Sequence, residues 1–290
     1  MAIGEAATRR ESKAAPWTRA LERIPWWALV IVLIGVYIVY SILNSETYQD
    51  TFFFLAAGLR LTILLTVVSF AIALVLGLIT GFGRVSDNVI VYNAATFYVE
   101  VVRGIPMLVQ LLYVAFVVVP LVVSALNGVG STIVNHTSVP ALVSLGQAFE
   151  NLNIQGVSML FRAIVGLALG YGAYEAEVFR AGIESIERGQ MEAARSLGMS
   201  YWQAMRHIIL PQAIRRVLPP LGNDFISMLK DSSLVSALAV RELTQLAKLN
   251  RARTFRTFET YNTVTFLYLM MTLLLSIGVK FLERRMSSGK

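Results

Sequence analysis

GLRLTILLTVVSFAIALVLGLITGF, residues 58–82, carries one ionisable side chain, Arg60, in 25 residues and is closed by Arg84. A helix rises 1.5 Å per residue, so about 20 apolar residues cross a hydrocarbon core of about 30 Å. Comparable runs lie at about Trp26 to Leu43, Pro106 to Val123, Ser158 to Phe179 and Tyr261 to Leu282. A weaker run, Ala213 to Val240, is interrupted by Pro219-Pro220, Asp224, Lys230 and Asp231. The fold class that follows is an all-α polytopic membrane protein of about six transmembrane helices.

Composition agrees. Of 290 residues, 56% are hydrophobic and only 15% charged, and the mean hydropathy is +0.63. Soluble domains carry about 25% charge, so a soluble enzyme, a disordered chain and a fibrous repeat are all poor readings. The chain has no Cys and two His, which removes disulfides, thiolate catalysis and Cys-based metal sites and leaves almost nothing for zinc or haem. The net charge of +7 does not point to nucleic acid, because the basic residues flank apolar spans, where they set topology.

Arg9, Arg10, Lys13, Arg19 and Arg23 precede the first span, which reads as a retained anchor with a cytoplasmic N-terminus and Trp26 and Trp27 at the interface. Residues 124–161 hold no Lys or Arg, as an external loop should, and Gly128–Asn153 shows no clear period beyond a short helix. The Arg-rich segment 180–216 reads as cytoplasmic. One loop disagrees: Arg241, Lys248, Arg251, Arg253 and Arg256 fall outside if residues 213–240 cross, and inside if they do not. Arg284, Arg285 and Lys290 favour the six-span alternation. Leu243, Leu246, Ala247 and Asn250 have helical spacing and predict an amphipathic helix along the membrane surface.

Between spans four and five stands Glu192-Ala193-Ala194, then Gly198, then Ile208, Leu210 and Pro211. Ala and Glu favour helix, and Gly198 tolerates the positive φ that ends one. Trp202, Met205 and Ile209 then recur on one apolar face, and Pro211 is expected to stop or kink that helix. A short helix–turn–helix with an apolar knob suits a groove on a cytosolic partner; a re-entrant loop packed on its own bundle is the other reading.

This order, E-A-A, three residues, G, nine residues, I-x-L-P, resembles the signature of permease subunits of ABC importers. Tyr174–Gly182, Arg188-Gly189-Gln190, Tyr98–Pro106 with Gln110, and Leu229–Leu234 resemble its polar-amino-acid branch. The resemblance covers about residues 58–285 and implies a five-helix importer core, with an extra N-terminal helix at 26–43 behind a tail at 1–25. It implies a coupling loop at about 183–211, with Glu192, Ala193, Ala194, Gly198, Trp202 and Met205 against an ATPase. It also implies two ATP-binding subunits carrying ATP and Mg, a homo- or heterodimer with a related permease, an extracytoplasmic solute-binding protein, and a bacterial cytoplasmic (inner) membrane. The chain holds no G-x-x-x-x-G-K-[ST] phosphate loop and is expected to bind no cofactor and to be a transport subunit, not an enzyme. Another small zwitterion or an opine as substrate, and an ion-coupled secondary transporter, are the alternatives.

Ionisable residues inside a membrane are costly and face a cavity or a partner. An amino acid presents an ammonium and a carboxylate. Lys230 is therefore a candidate for the carboxylate and Asp231 or Asp224 for the ammonium, against an internal Lys–Asp ion pair that fixes packing. Arg60 either snorkels outward or contacts substrate. Gln110 either enters the cavity or bonds between helices. Glu177 either neutralises Arg180 or touches the ATPase. Gly77 and Gly81 form a small-xxx-small pair for close packing, and Arg103–Pro106 sets a helix entry.

Overall fold

The computed structural model describes residues 26–287, all of whose regular elements are helical. The N-terminal tail and Lys290 lie outside the described residues, as does the side chain of Trp27. Residues up to Gln49 form one compact unit and the chain from Asp50 another. The first contains α1 (Trp26–Asn44), an apolar helix exposed along most of its length.

The second unit is built on α2 (Glu46–Arg84), a 39-residue helix of which residues 50–84 belong to it. Its buried stripe, Gly58, Thr62, Thr66, Ser69, Ala73, Gly77 and Gly81, repeats every three or four residues and is nearly all small. Without a hydrophobic force between helices in lipid, close backbone approach supplies the attraction, and small residues permit it. Thr62 and Thr66 return their hydroxyls to the carbonyls four residues back, which satisfies them inside an apolar stripe.

Next come α3 (Val89–Arg103), capped by the Asn88 side chain, and α4 (Met107–Tyr113). Gly104 closes α3 and Pro106 opens α4, the helix entry expected of Arg103–Pro106. A wide π turn, Val114–Val118, leads into α5 (Val119–His136). The expected loop at 128–153 is instead a helical hairpin. The helix continues to His136, and α6 (Pro140–Glu150) folds back on it, with Gly130 and Gly146 in backbone contact. Period alone concealed this, because glycines hold the hairpin where larger side chains would have marked a face.

Two helices then run antiparallel, α7 (Met159–Glu184) and α10 (Leu210–Asp231). Between them lie α8 (Arg188–Ser196) and α9 (Tyr201–Ala204), and a second π turn, Met205–Ile209, joins α9 to α10. Pro211 therefore does not stop the helix. In both π turns a proline follows two residues later, Pro120 and Pro211. Proline lacks a donor and its ring crowds the carbonyl four residues back, and a widened preceding turn relieves that crowding. Pro219 and Pro220 stay within α10.

Past Asp231 the chain tightens to a 3-10 segment, Ser232–Leu238, which packs through Val235 and Leu238 on Leu65, Leu111, Ala163 and Leu167. Residues 210–238 thus follow α7 from its C-terminal end to within a turn of its start. Ala239, at φ 57, turns the chain into α11 (Leu243–Thr254), and α12 (Thr257–Ser287) closes the unit. The helix expected at 243–250 forms, but its face Leu243, Leu246 and Ala247 packs on Leu55, Val264 and Leu267. It is buried in protein, not laid on a lipid surface, because the stripe is narrow enough for α2 and α12 to fill it.

Among the described residues three segments, Glu46–Arg84, Met107–His136 and Thr257–Arg285, are long and apolar enough to cross a membrane. α7 and α10 are more polar.

Candidate functional site

The α7–α10 seam brings together a group of ionisable side chains within the bundle. Tyr171 and Glu175, one turn apart on α7, face Asp231 and Asp224, two turns apart on α10. The Tyr171 hydroxyl donates to Asp231 Oδ2 at 2.8 Å, and the Tyr171 ring lies 5.9 Å from that of Tyr174. Tyr171 is wedged between Ala73 and Met228. Glu175 is fully buried, and neither carboxylate oxygen has a hydrogen-bond partner among the described residues. It sits there because Gly77 has no side chain to exclude it. Asp224 is half-buried and Lys230 exposed. Among the described residues no carboxylate lies within 4.0 Å of the Lys230 ammonium.

Gln110 is buried, and its amide nitrogen donates to Val102 O at 2.6 Å and to Ile105 O at 2.5 Å. It bridges the break between α3 and α4. Gln110→Leu should remove both bonds, leaving Val102 O with the Ile105 N–H at 3.3 Å and Ile105 O without its amide donor, at about 1–3 kcal/mol in all, and lower the melting temperature of the purified protein by several degrees. An unchanged melting curve would show that water replaces the amide. Arg60 is exposed on the first half of α2.

Glu177 is the centre of an ion cluster. Arg180 binds one carboxylate oxygen and Arg84 the other at 2.6 Å, while Arg103 stands at 3.9 Å. Arg84 also reaches Glu100, and Arg180 reaches Glu184. The pairing with Arg180 expected from i,i+3 spacing is present within a network tying the ends of α2, α3 and α7. The Arg103 guanidinium also lies over the Tyr174 ring at 5.6 Å.

At the same end hangs the α8–α9 turn. Gly198 has φ +84, Met199 N–H donates to Ala194 O at 3.2 Å, and Gly198 N–H donates to Arg195 O at 3.0 Å. That paired closure is the Schellman ending glycine makes available. Ser200 and Gln203 then form a reciprocal capping box that starts α9. Ala194 is buried, while Glu192 and Ala193 are exposed. Met205 and Ile209 turn inward against Ile186 and Ala213. Trp202, expected on their face, is 77% exposed, and Leu197 is 85% exposed. Trp202 lies one turn before the last inward contact, so the apolar face ends before reaching it.

Sequence reasoning missed Arg162. It is buried, and each of its three guanidinium nitrogens donates to a carbonyl: Val157, Ala115 and Ile154, at 3.1, 3.0 and 2.7 Å. Ala115 lies in the first π turn, so Arg162 joins α7 to the widened helix. A lone Arg at the head of an apolar run was the available signal.

Comparison with known proteins places this arrangement. A family model described as binding-protein-dependent transport system inner membrane component matches residues 73–288. The glutamine transport system permease protein GlnP of Escherichia coli (strain K12) is 35% identical over 232 residues, 80% of this chain and 92% of that one. The arginine transport system permease protein ArgU of Corynebacterium glutamicum (strain ATCC 13032) is 32% identical over 272 residues, 90% of this chain and 79% of its own length. A crystal structure of an amino acid ABC transporter with histidines superimposes with a TM-score of 0.64 at 34% identity, covering 84% of this chain and 98% of the other. With a model matching well over half its length, the chain belongs to the family of binding-protein-dependent transport system inner membrane components.

Proposed function

We propose that this chain is the membrane-spanning permease subunit of an ATP-driven importer of polar amino acids, working by alternating access. The observation that carries the reading is the α8–α9 turn. It offers Leu197 and Trp202 to solvent beyond the end of the bundle, while its return face is locked to Ile186, Ile209 and Ala213. A rigidly mounted apolar knob transmits movement of an attached subunit into α7 and α10. Relatives named for glutamine and arginine transport support the substrate class.

In this reading two ATP-binding subunits hold ATP with Mg, a solute-binding protein delivers substrate from outside, and a second permease faces the exposed Asn223 and Lys230 side of α10. The chain lies in a bacterial cytoplasmic membrane with six spans, its N-terminus inside. Lys230 pairs with the substrate carboxylate and Asp231 or Asp224 with its ammonium. Lys230→Met is then expected to raise the half-saturating substrate concentration at least about tenfold, or about 1.4 kcal/mol. Unchanged substrate-stimulated transport would remove Lys230 from the pathway.

The reading as a whole is tested by uptake into vesicles holding the complex purified from native membranes. Uptake that needs ATP and persists after ionophores dissipate ion gradients supports it. Uptake that follows a cation gradient without ATP or a cytosolic subunit assigns the chain to ion-coupled transport.

A further inference from the structure

The first turns of α2 and the end of α11 enclose a cavity of about 630 Å³, lined by Thr51, Phe53, Phe54, Asn250, Arg253 and Arg256. Two guanidinium groups meet in it, and neither is closed by a tight ion pair. Arg256 reaches Asp50 at 3.5 Å, with the Asp50 side chain 75% exposed, and Arg253 lies over the Phe54 ring at 4.6 Å. Thr51 is 1% exposed, and its hydroxyl has no hydrogen-bond partner among the described residues. Two arginines less one aspartate, Asp50, leave the cavity one positive charge in excess, which a singly charged anion neutralises. Its donors come from two elements, Thr51 on α2 and the arginines at and just past the end of α11. A tetrahedral phosphate accepts from several directions, whereas a carboxylate offers two oxygens in one plane.

A second cavity on α2 says what else such an anion carries. Between α2, α10 and α12 runs an apolar groove of about 270 Å³, lined by Ile63, Val67, Phe225, Leu229, Leu274 and Leu275, with no charged side chain on its walls. Phe53 in the first cavity and Val67 in the second are 14 residues apart, which is close to four full turns. Both therefore stand on one side of α2, separated by about 21 Å. Half of a 40–45 Å bilayer, the length of one lipid from headgroup to chain end, is about 20–22 Å. A free phosphate would use the first cavity and leave the second without a purpose, while a phospholipid uses both.

We infer that α2, the end of α11 and α12 form a binding site for one anionic phospholipid. Arg253, Arg256 and Thr51 hold its phosphodiester, and one acyl chain lies in the groove at Ile63, Val67 and Leu274. The lipid fastens the α11–α12 turn to α2 by charge at one end and by apolar contact at the other.

The test is native mass spectrometry of the full chain, purified in detergent, stripped of lipid and titrated with phosphatidylglycerol. The wild type is expected to bind one lipid per chain ahead of any others. The double variant Arg253→Ala, Arg256→Ala should raise the dissociation constant at least about tenfold, as loss of charge-assisted bonds requires. Thr51→Val, which keeps the shape of the side chain, and Leu274→Trp, which fills the groove, should each raise it several-fold. Arg251→Ala, exposed and outside the cavity, should leave it unchanged. Unchanged affinity in the double variant, or in a monodisperse Leu274→Trp, overturns the inference. So does an equal loss in Arg251→Ala, which assigns the binding to diffuse surface charge. Displacement of the lipid by millimolar inorganic phosphate also overturns it, since the site then takes a free anion without its chain.

Discussion

Exchanging Leu197 and Trp202 together for Asp is expected to abolish recovery of an ATP-binding subunit with the permease and to end ATP-driven uptake, while the amount of folded permease is unchanged. Both side chains are more than three-quarters exposed and touch no core cluster, so their removal leaves the bundle intact. Fully burying a residue of this size against a partner is worth about 1.5–3 kcal/mol, and interface anchors reach 2–4 kcal/mol when truncated. Two such losses, with two charges to desolvate, lower affinity by roughly a thousandfold or more. Gly198→Asp gives a graded comparison. Open space surrounds the position, so only the φ of +84 resists a side chain, and about 1–2 kcal/mol of strain should weaken the complex without dissolving it. Recovery of the ATP-binding subunit at wild-type level with the double variant would move the coupling contact elsewhere.

The second large effect is on assembly of the bundle. A Cβ at Gly77 would overlap Glu175 Cβ and stand 3.0 Å from the backbone nitrogen of Ala176. Backbone cannot yield as a flexible side-chain tip can, so Gly77→Val must push α2 away from α7. Overpacking of a tight contact costs about 1–3 kcal/mol, and separating the seam also removes the close approach along Gly81 and Phe179. Gly77→Val is therefore expected to aggregate on extraction in mild detergent. Gly278→Val, where nothing lies within 4 Å of the added Cβ, should remain monodisperse. Monodisperse Gly77→Val on size-exclusion chromatography would sink this account of the seam.

Much of this was legible in the residues, for physical reasons. Apolar length announces a membrane helix, so residues 58–82 and 261–282 needed no context. The small-residue repeat at Gly77 and Gly81 announced close packing, and the structure supplies α7 as the partner. The glycine at 198 announced a positive φ and has one. The α5–α6 hairpin was not legible, because Gly130 and Gly146 interlock backbones and leave no apolar period. Nor could Pro211 be read as lying within an unbroken helical path, since the π turn that accommodates it has no composition of its own. Arg162 is satisfied by three carbonyls, and backbone acceptors leave no trace in side-chain identity. The substrate candidates stood out through the cost of charge in lipid. That cost says that Asp224, Lys230 and Asp231 have a purpose, but not that Tyr171 would hold Asp231 or that Gly77 would make room for Glu175.

The widened turns also divide the bundle mechanically. From Asp50 to Arg84, α2 is an unbroken rod with regular hydrogen bonding, stiff against bending. The paths through Val114–Val118 and Met205–Ile209 each contain one turn with an added residue and a proline just beyond it, so each departs from regular helical bonding at one defined place. Arg162 fastens one of these turns at Ala115, while the other follows directly on the α8–α9 turn. In the proposed importer a load applied at Leu197 and Trp202 reaches α10 through the widened turn at 205–209, which Met205 and Ile209 hold against Ile186 and Ala213.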